Sequence, residues 1–484
     1  MIVSTFTSLL ALASTAMAAT LSPTVQIADS TGKALSSCAY NPASSLARLE
    51  PPLQDKLMLG ISLDWSYEVP TASVKKMNGY TPAVFNAWLD MIPGTWGGLG
   101  YDNNTFNWFG SEAGKVGSIL ELSLNPKVDN ISSITVQMMT DFSKMCQFIN
   151  QYYGTPIFLR WAHEMNGDWY GWGNAPSAYI ESHRQFTTIL RQYTNMTAMV
   201  WAPNIGITYP FVGGGARPSP ANRTGLDFDV LDSNHDGVIN NYDDPYTPFY
   251  PGTIFVMCVD KRHQLTSAEF SGDNYVDWVG ISLYYYPRCH NNCPVPAKFF
   301  DELVTGVGSP DAPSSNLSAW QEVHNFYQMF AVGRNKPMML PETGSPWIAS
   351  WANATGATTE VKVKEGWWSQ LLSQETLSKY PKLKLFVQFE EVKPLPLDGV
   401  PAIQDWRVTN NTNTLTWWNE FVQGFSSNLQ DADHLVYACD GSVTIGPKGV
   451  KPGATVSSSP TKSSAVRLRS FVLGVLVAAT AFIC

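Results

Sequence analysis

Eight short apolar runs, separated over much of the chain by stretches with apolar residues at helical spacing, constrain the fold of this sequence more than any other feature. The runs lie at 57–63, 83–85, 118–124, 157–161, 199–201, 276–283, 338–340 and 385–387. Helical spacing marks 134–153, 178–193 and 320–332 between runs, and 415–425 after the last. Strands buried on both faces read as short continuous apolar runs, and their alternation with helices implies parallel pairing with helical crossovers. Eight repeats suit a closed barrel, so the expected class is α/β with a (β/α)8 TIM-barrel architecture. An open doubly wound sheet is the rival. No Gly-x-Gly-x-x-Gly follows the first run, and Gly97-Gly98-Leu99-Gly100 lacks the Lys-Ser/Thr of a phosphate loop, so a nucleotide site is not expected.

The two ends read as processing signals. Residues 1–19 hold an apolar run over 6–18 that ends in Ala16-Met17-Ala18, the small-residue pattern of a secretory cleavage site, without the usual preceding positive charge. At the other end, Ser457-Ser458-Ser459 and a polar stretch with Lys462, Arg467 and Arg469 precede a second apolar run at 471–484. That order is the one of a glycosylphosphatidylinositol-anchor signal, and the run is short for a spanning helix, the alternative reading. The expected layout is a signal at 1–19, a barrel domain at 20–456 with its core at 57–425, and an anchor-attachment region with a removed tail at 457–484. Such a protein is secreted and held on the extracellular face of the plasma membrane or cell wall, its membrane partner being the outer leaflet.

Charged residues make up 15% of the chain and the formal net charge is −9, with no basic stripe, which argues against a nucleic-acid partner. Seven Asn-x-Ser/Thr sequons, at Asn103, Asn130, Asn195, Asn222, Asn316, Asn353 and Asn410, fit a glycosylated surface. Without Cys484 in the tail, six cysteines remain: Cys38, Cys146, Cys258, Cys289, Cys293 and Cys439. An even number in an exported chain suggests disulfides, and Cys289 and Cys293 are spaced to close their own Pro- and Asn-rich loop. A metal held by Cys289, His290 and Cys293 is the competing reading, without an evident fourth ligand.

The largest interruption, roughly 209–275, separates the fifth and sixth runs. It contains Asp232-Ser233-Asn234-His235-Asp236-Gly237-Val238-Ile239-Asn240-Asn241-Tyr242-Asp243. Oxygen side chains stand at Asp232, Asn234, Asp236 and Asp243, Gly237 occupies the sharp-turn position, and Val238 can offer its carbonyl. This is the ligand pattern of a structural calcium loop, with Asp in the last place. A polar turn cluster is the alternative.

Catalytic chemistry is suggested by Arg160-Trp161-Ala162-His163-Glu164-Met165-Asn166-Gly167-Asp168-Trp169-Tyr170-Gly171-Trp172-Gly173, which follows the fourth run. It places a carboxylic acid among indoles, amides and a histidine. Aromatic faces stack on sugar rings, amides and guanidinium bind hydroxyls, and a carboxyl whose pKa is raised by apolar neighbours can protonate a glycosidic oxygen. A second carboxyl, Glu342 in Pro341-Glu342-Thr343-Gly344, follows the seventh run as Glu164 follows the fourth. Strand ends of a barrel converge on one mouth, so the two acids can face each other although far apart in sequence. Taken singly, Glu164 also reads as an ion-pair partner of Arg160, and Glu342 as a turn residue capping a helix start.

With these motifs in view the chain resembles glycoside hydrolase family 26, retaining barrel enzymes that include endo-β-1,4-mannanases. The resemblance rests on Arg160 to Gly167 with Trp169 and Trp172, on Trp201-Ala202-Pro203-Asn204, on Val276-Asp277-Trp278-Val279-Gly280-Ile281-Ser282-Leu283-Tyr284, and on Pro341 to Gly344. It implies Glu164 as general acid/base, Glu342 as nucleophile, Tyr284 as the tyrosine bonded to the nucleophile, and His163 as a residue that binds substrate or orients the acid. Arg160, Asn166, Trp169, Trp172 and Trp201 are expected to contact substrate, although core packing explains Trp201 equally well. Two positions depart from the family pattern: Ser123-Leu124 precedes Asn125-Pro126 where His or Trp is common, and Phe389 stands where Trp is common. The expected partner is a β-linked polysaccharide, β-1,4-mannan first. A β-1,3-xylanase or mixed-linkage β-glucanase, or a carbohydrate-binding protein without turnover, are the alternatives.

Overall fold

The computed structural model describes residues 47–206, 226–240, 242–253, 272–287, 291–307, 317–394, 401–438 and 440–446. Eight parallel strands close a barrel: β1 (Leu57–Leu63), β2 (Val84–Met91), β3 (Ile119–Pro126), β4 (Ile157–Trp161), β5 (Thr197–Trp201), β6 (Trp278–Gly280), β7 (Met338–Gly344) and β8 (Leu383–Glu390). Neighbours in sequence pair in order, and β8 returns to β1 in the register Met58↔Leu385 to Leu63↔Glu390. The expected (β/α)8 barrel is therefore present. The run expected as one strand at 276–283 is split. After β6 the chain changes partner, with Ile281 N–H on the Met339 carbonyl but Ser282 N–H on that of Pro203, before Leu283–Tyr284 pairs with the end of β7.

Helices cover the outside. α1 (Pro70–Lys76) and α2 (Asn103–Val116) follow β1 and β2, where helical spacing is weak, and α2 starts at an Asp102 cap that accepts from the N–H groups of Asn104 and Thr105. α3 (Val136–Tyr152) and α4 (Pro176–Leu190) fall where helical spacing is strong; α3 buries Met138, Met139, Phe142, Cys146 and Ile149 along one stripe. The stretch expected as one helix at 320–332 is broken between Leu317–His324 and a π-helical turn at Tyr327–Val332. At the break the His324 ring folds back on Trp320, with ring centroids 3.6 Å apart, and its Nδ1 lies 2.9 Å from the Trp320 carbonyl oxygen.

The barrel interior has two levels. The floor is apolar and takes residues from every strand: Met58, Val84, Ile119, Phe158, Ala198, Val200, Trp278, Met339, Leu385 and Val387 form one buried cluster. Gly60 belongs among them for space, since a Cβ there would stand 3.0 Å from both Val387 and Val84 side chains. Two or four residues further along several strands, on the same inner face, the lining turns polar. Ser62 Oγ donates to Asn86 Oδ1 at 2.8 Å, Asn86 Nδ2 to Ser123 Oγ at 3.2 Å, and Arg160 Nη2 to Ser282 Oγ at 2.6 Å.

Several sequence expectations are corrected here. Trp201 faces away from the barrel axis, is fully buried, and packs on Tyr250, Phe326 and Phe330 with centroids 4.9, 5.8 and 4.7 Å away. It is a core residue and not a substrate contact. Cys146 is buried and free, so the six cysteines do not all pair; Cys293 is disulfide-bonded, to a cysteine outside the described residues. Asn195 is buried, unlike a sequon that carries a glycan. Residues 1–46 and 447–484, with both expected processing signals, and Cys38, Cys258, Cys289, His290, Cys439, Asn222 and Asn316 lie outside the described residues. No helix among the described residues is long and apolar enough to cross a membrane.

Candidate active site

Beyond Trp161 the chain leaves β4 through two non-glycine residues in the left-handed region, Ala162 at φ 45° and Glu164 at φ 52°. Each costs on the order of 1–3 kcal/mol and persists only where the surroundings impose it. The imposing contacts are Ala162 N–H on the Leu124 carbonyl and Glu164 N–H on the Ala202 carbonyl, both at 3.0 Å. The backbone is thus tied to β3 and to the end of β5, and the Glu164 side chain is turned over the barrel mouth. Glu164 Oε1 accepts from Asn204 Nδ2 and Oε2 from Trp169 Nε1, each at 2.8 Å. Asn204 is in turn held by reciprocal bonds with Asn166, both at 2.9 Å. Asn166 is completely buried, so it positions Asn204 and does not meet substrate as expected.

Burial, and then the nearby Glu342 charge, push the Glu164 pKa above the ordinary carboxyl range, while Arg160 and hydrogen bonds from Asn204 and Ser282 pull it down. The net upward direction favours a carboxyl that keeps its proton, as a general acid must. Glu342 is held by a different pair of donors. Its Oε2 accepts from the Tyr284 hydroxyl at 2.7 Å and its Oε1 from Arg160 Nη1. Burial disfavours the Arg160 cation, but the charges of Glu342, Glu121 and Glu164 outweigh it. Arg160 is wholly buried and its guanidinium is occupied by Glu342, Ser123 and Ser282, which corrects its expected role from substrate contact to anchor of the second carboxylate.

The aromatic residues divide into contacts and supports. His163 Nε2 lies 3.0 Å from the Tyr170 hydroxyl, and burial, followed by the charges of Arg160 and Lys127, holds its pKa well below the usual histidine range, so the ring is neutral. Trp172 stacks on Tyr170 at 4.2 Å, donates to the His163 carbonyl at 2.9 Å and is buried; it supports the wall and does not form it. Trp169 is partly exposed and bonded to Glu164, and therefore belongs to the site. Tyr284 is packed edge-on by Trp406 at 4.8 Å and by Phe389 at 5.7 Å. Arg407 chelates Asp405 at 2.9 and 2.7 Å, whereas Glu390 is buried and accepts from the N–H groups of Val408 and Thr409 at 2.9 and 2.8 Å.

Sequence reasoning missed Trp88, Ser123, Asn204, Ser282, Trp406 and Glu121 as parts of the site. Asn204 and Ser282 lie inside motifs quoted above, so position was their only signal. Glu121, two residues before Ser123 on the inner face of β3, is fully buried with neither carboxyl oxygen hydrogen-bonded. Burial raises its pKa to about 8, with Arg160 lowering and Glu342 raising it.

The expected calcium donors are turned onto their own loop. Asp232 accepts from the N–H groups of Asp236 and Gly237 at 3.1 and 2.8 Å, Asn234 from that of Asp236 at 2.9 Å, and Asp236 from that of Val238 at 2.8 Å. Asp243 accepts from the Asn234 and Asn240 N–H groups at 3.2 and 2.8 Å. Among the described residues no three His, Cys, Asp or Glu side chains gather where a metal ion would sit, and no step below runs through one.

Comparison with known proteins shows what part of this chain is similar to. Residues 121–208, from Glu121 on β3 through Glu164 to just past Asn204, match the model described as Glycosyl hydrolase family 26. This span carries the family 26 pattern. A curated relative, Endoglucanase H of Acetivibrio thermocellus, is 21% identical over 327 residues; these are 67% of this chain and 27% of that protein, so the chain spans about a quarter of the relative's length. Aligned solved structures include a GH26 β-mannanase from Bacteroides ovatus, 12% identical, with 78% of this chain and 91% of that one covered at a TM-score of 0.44. A modular endo-β-1,4-mannanase from Cellulomonas fimi is 15% identical, with 81% and 76% covered at a TM-score of 0.47. The barrel itself rests on the strand pairings and not on these alignments. Within the family 26 span, Asn204→Ala should move the alkaline limb of kcat/KM to higher pH. Asn204 donates to the ionised form of Glu164 and so lowers its pKa; removing the donor leaves the acid protonated further up the scale. A pH–rate profile of parent and variant checks the shift, and an unmoved limb would show that Glu164 does not set it.

Proposed function

We propose that this protein is an endo-acting glycoside hydrolase that cleaves β-linked polysaccharide, β-1,4-mannan first, by retaining double displacement. The observation that carries the reading is the division of labour between two carboxyls at one barrel mouth. Glu164 sits in surroundings that favour its neutral form, and Glu342 is clamped by Arg160 and Tyr284. In the first step a Glu342 oxygen bonds to the anomeric carbon as the glycosidic C–O bond breaks, and the Glu164 proton passes to the departing oxygen. In the second, Glu164 takes a proton from water, the water oxygen bonds to the same carbon, and the ester to Glu342 breaks. Trp169 fixes the Glu164 carboxyl in both roles, and neutral His163 can offer a hydrogen bond without adding charge beside it.

The family 26 match supports this chemistry, and the endoglucanase name of the curated relative keeps β-glucan as the second reading. Retention of both carboxyls with their partners weighs against a binding protein without turnover. Incubation with mannan, xylan and mixed-linkage glucan separates these readings: mannan should release oligosaccharides first, and no release from any polymer would sink the enzymatic reading. Glu342→Ala should lower turnover by at least about a thousandfold while keeping a native circular-dichroism spectrum, with a fall in the thermal midpoint because Arg160 loses its partner. Wild-type rates in that variant would remove Glu342 as nucleophile.

The proposal includes two features carried by sequence alone. Calcium held by Asp232, Asn234, Asp236, Val238 and Asp243 would brace the insertion beside the mouth, and chelator should then lower the melting temperature; an unchanged melt argues against it. Secretion with a lipid anchor at 457–484 predicts release from membranes by phosphatidylinositol-specific phospholipase, and retention after treatment counts against the anchor.

A further inference from the structure

The side chains at the ends of β2 and β3 leave hydrogen-bonding capacity that no described residue uses. Counting in steps of two from the floor residues Val84 and Ile119, Trp88, Asp90, Ser123 and Asn125 all lie on the inner face, and Trp88 pairs with Ser123 as Asp90 pairs with Asn125. Asn125 Nδ2 donates to Asp90 Oδ1 at 3.1 Å. A carboxylate only accepts, so the amide orientation is fixed and Oδ1 is left as the free acceptor. Asn125 is 7% exposed, and this buried Oδ1 has no partner among the described residues. The same holds for His163 Nδ1, on a ring 1% exposed whose other nitrogen faces Tyr170. Trp88 lies beside His163, the two rings T-shaped with centroids 4.9 Å apart; it is only partly buried, and the Arg160 guanidinium carbon stands 5.8 Å from its ring centroid.

We propose that Trp88 and Asn125 form a sugar subsite on the β2–β3 wall, in which one neutral pyranose ring stacks on Trp88 and places a hydroxyl between Asn125 Oδ1 and His163 Nδ1. A hydroxyl donates and accepts at once, so it satisfies the obligatory acceptor on Asn125 together with either tautomer of His163. Buried polar atoms left unpaired are costly, and that cost is recovered when a ligand pairs them. A charged ligand is not called for, because Asp90 and Lys127 at the rim are 3.8 Å apart and offset each other. The small Ser123 leaves room for the Trp88 ring beside it. The aromatic surface absent from the third strand is thus supplied by the second. The inference rests on the glycosidase reading above and deepens it.

The test uses the full chain. Trp88→Ala and Asn125→Ala are compared with the parent by KM and kcat on the polymer turned over best, and by calorimetric affinity for mannohexaose and cellohexaose in the Glu342→Ala background. Both changes should raise KM and Kd about tenfold with a much smaller change in kcat, and Trp88→Phe should recover most of the affinity. A residue that merely holds the wall together would lower kcat along with affinity and lower the melting temperature. Should Trp88→Ala fail to fold, Trp88→Phe and Asn125→Ala still decide the matter. Affinities and KM values equal to the parent's overturn the subsite, and so does a parent that binds neither hexasaccharide. The glycosidase reading fails separately, by absence of turnover in the parent, whereas the subsite is judged from the ratio of variant to parent affinity.

Discussion

The contact on which the site depends is the ion pair between Arg160 and Glu342 inside the barrel. Arg160 has no exposed surface, and a buried cation that loses its partner costs on the order of 3–5 kcal/mol. The pair therefore fixes both ends of the interior. It ties β4 to β7 across the barrel axis, and through Ser123 and Ser282 it extends to β3 and to the segment after β6. The apolar floor beneath offers neither group a partner, and the buried Glu121 adds a further carboxyl near the Arg160 cation. The pair also separates the two carboxyls in their surroundings: Glu342 is bound by the guanidinium, and burial together with the Glu342 charge disfavours ionisation of Glu164.

Most of the architecture was legible because strands buried on both faces leave short apolar runs. β1 and β4 coincide with their runs at 57–63 and 157–161. β2 did not, and the error mattered. Only 83–85 is continuously apolar, but the strand runs to Met91 because Asn86, Trp88 and Asp90 face the polar level of the interior, where a hydrophobic reading loses the signal. Trp88 disappeared with it. The split after β6 was hidden for the opposite reason, since the run stays apolar while its hydrogen-bonding partner changes.

Residue roles were less legible than residue identities. Arg160, Asn166, Trp172 and Trp201 were found by type and sequence position, yet all four are buried supports. Sequence spacing shows that a tryptophan ends a strand and not which face it occupies. At β5 the outer face wins, because Tyr250, Phe326 and Phe330 build a pocket for the indole from distant parts of the chain. Glu164 and Glu342 were legible as a pair because barrel topology fixes where strand ends go, whatever the intervening sequence.

The apolar floor also determines traffic. Residues from all eight strands form an apolar floor below Arg160, and the Glu164 and Glu342 carboxyls stand at the mouth above it. The departing half of a substrate and the water that follows it must then use one opening in turn. Under the proposed mechanism, the first product has to clear the Glu164 side before hydrolysis of the ester can begin, and a longer or more firmly held leaving saccharide delays water in proportion to its residence. The barrel would thereby favour handing the sugar to another saccharide hydroxyl whenever one reaches that opening first.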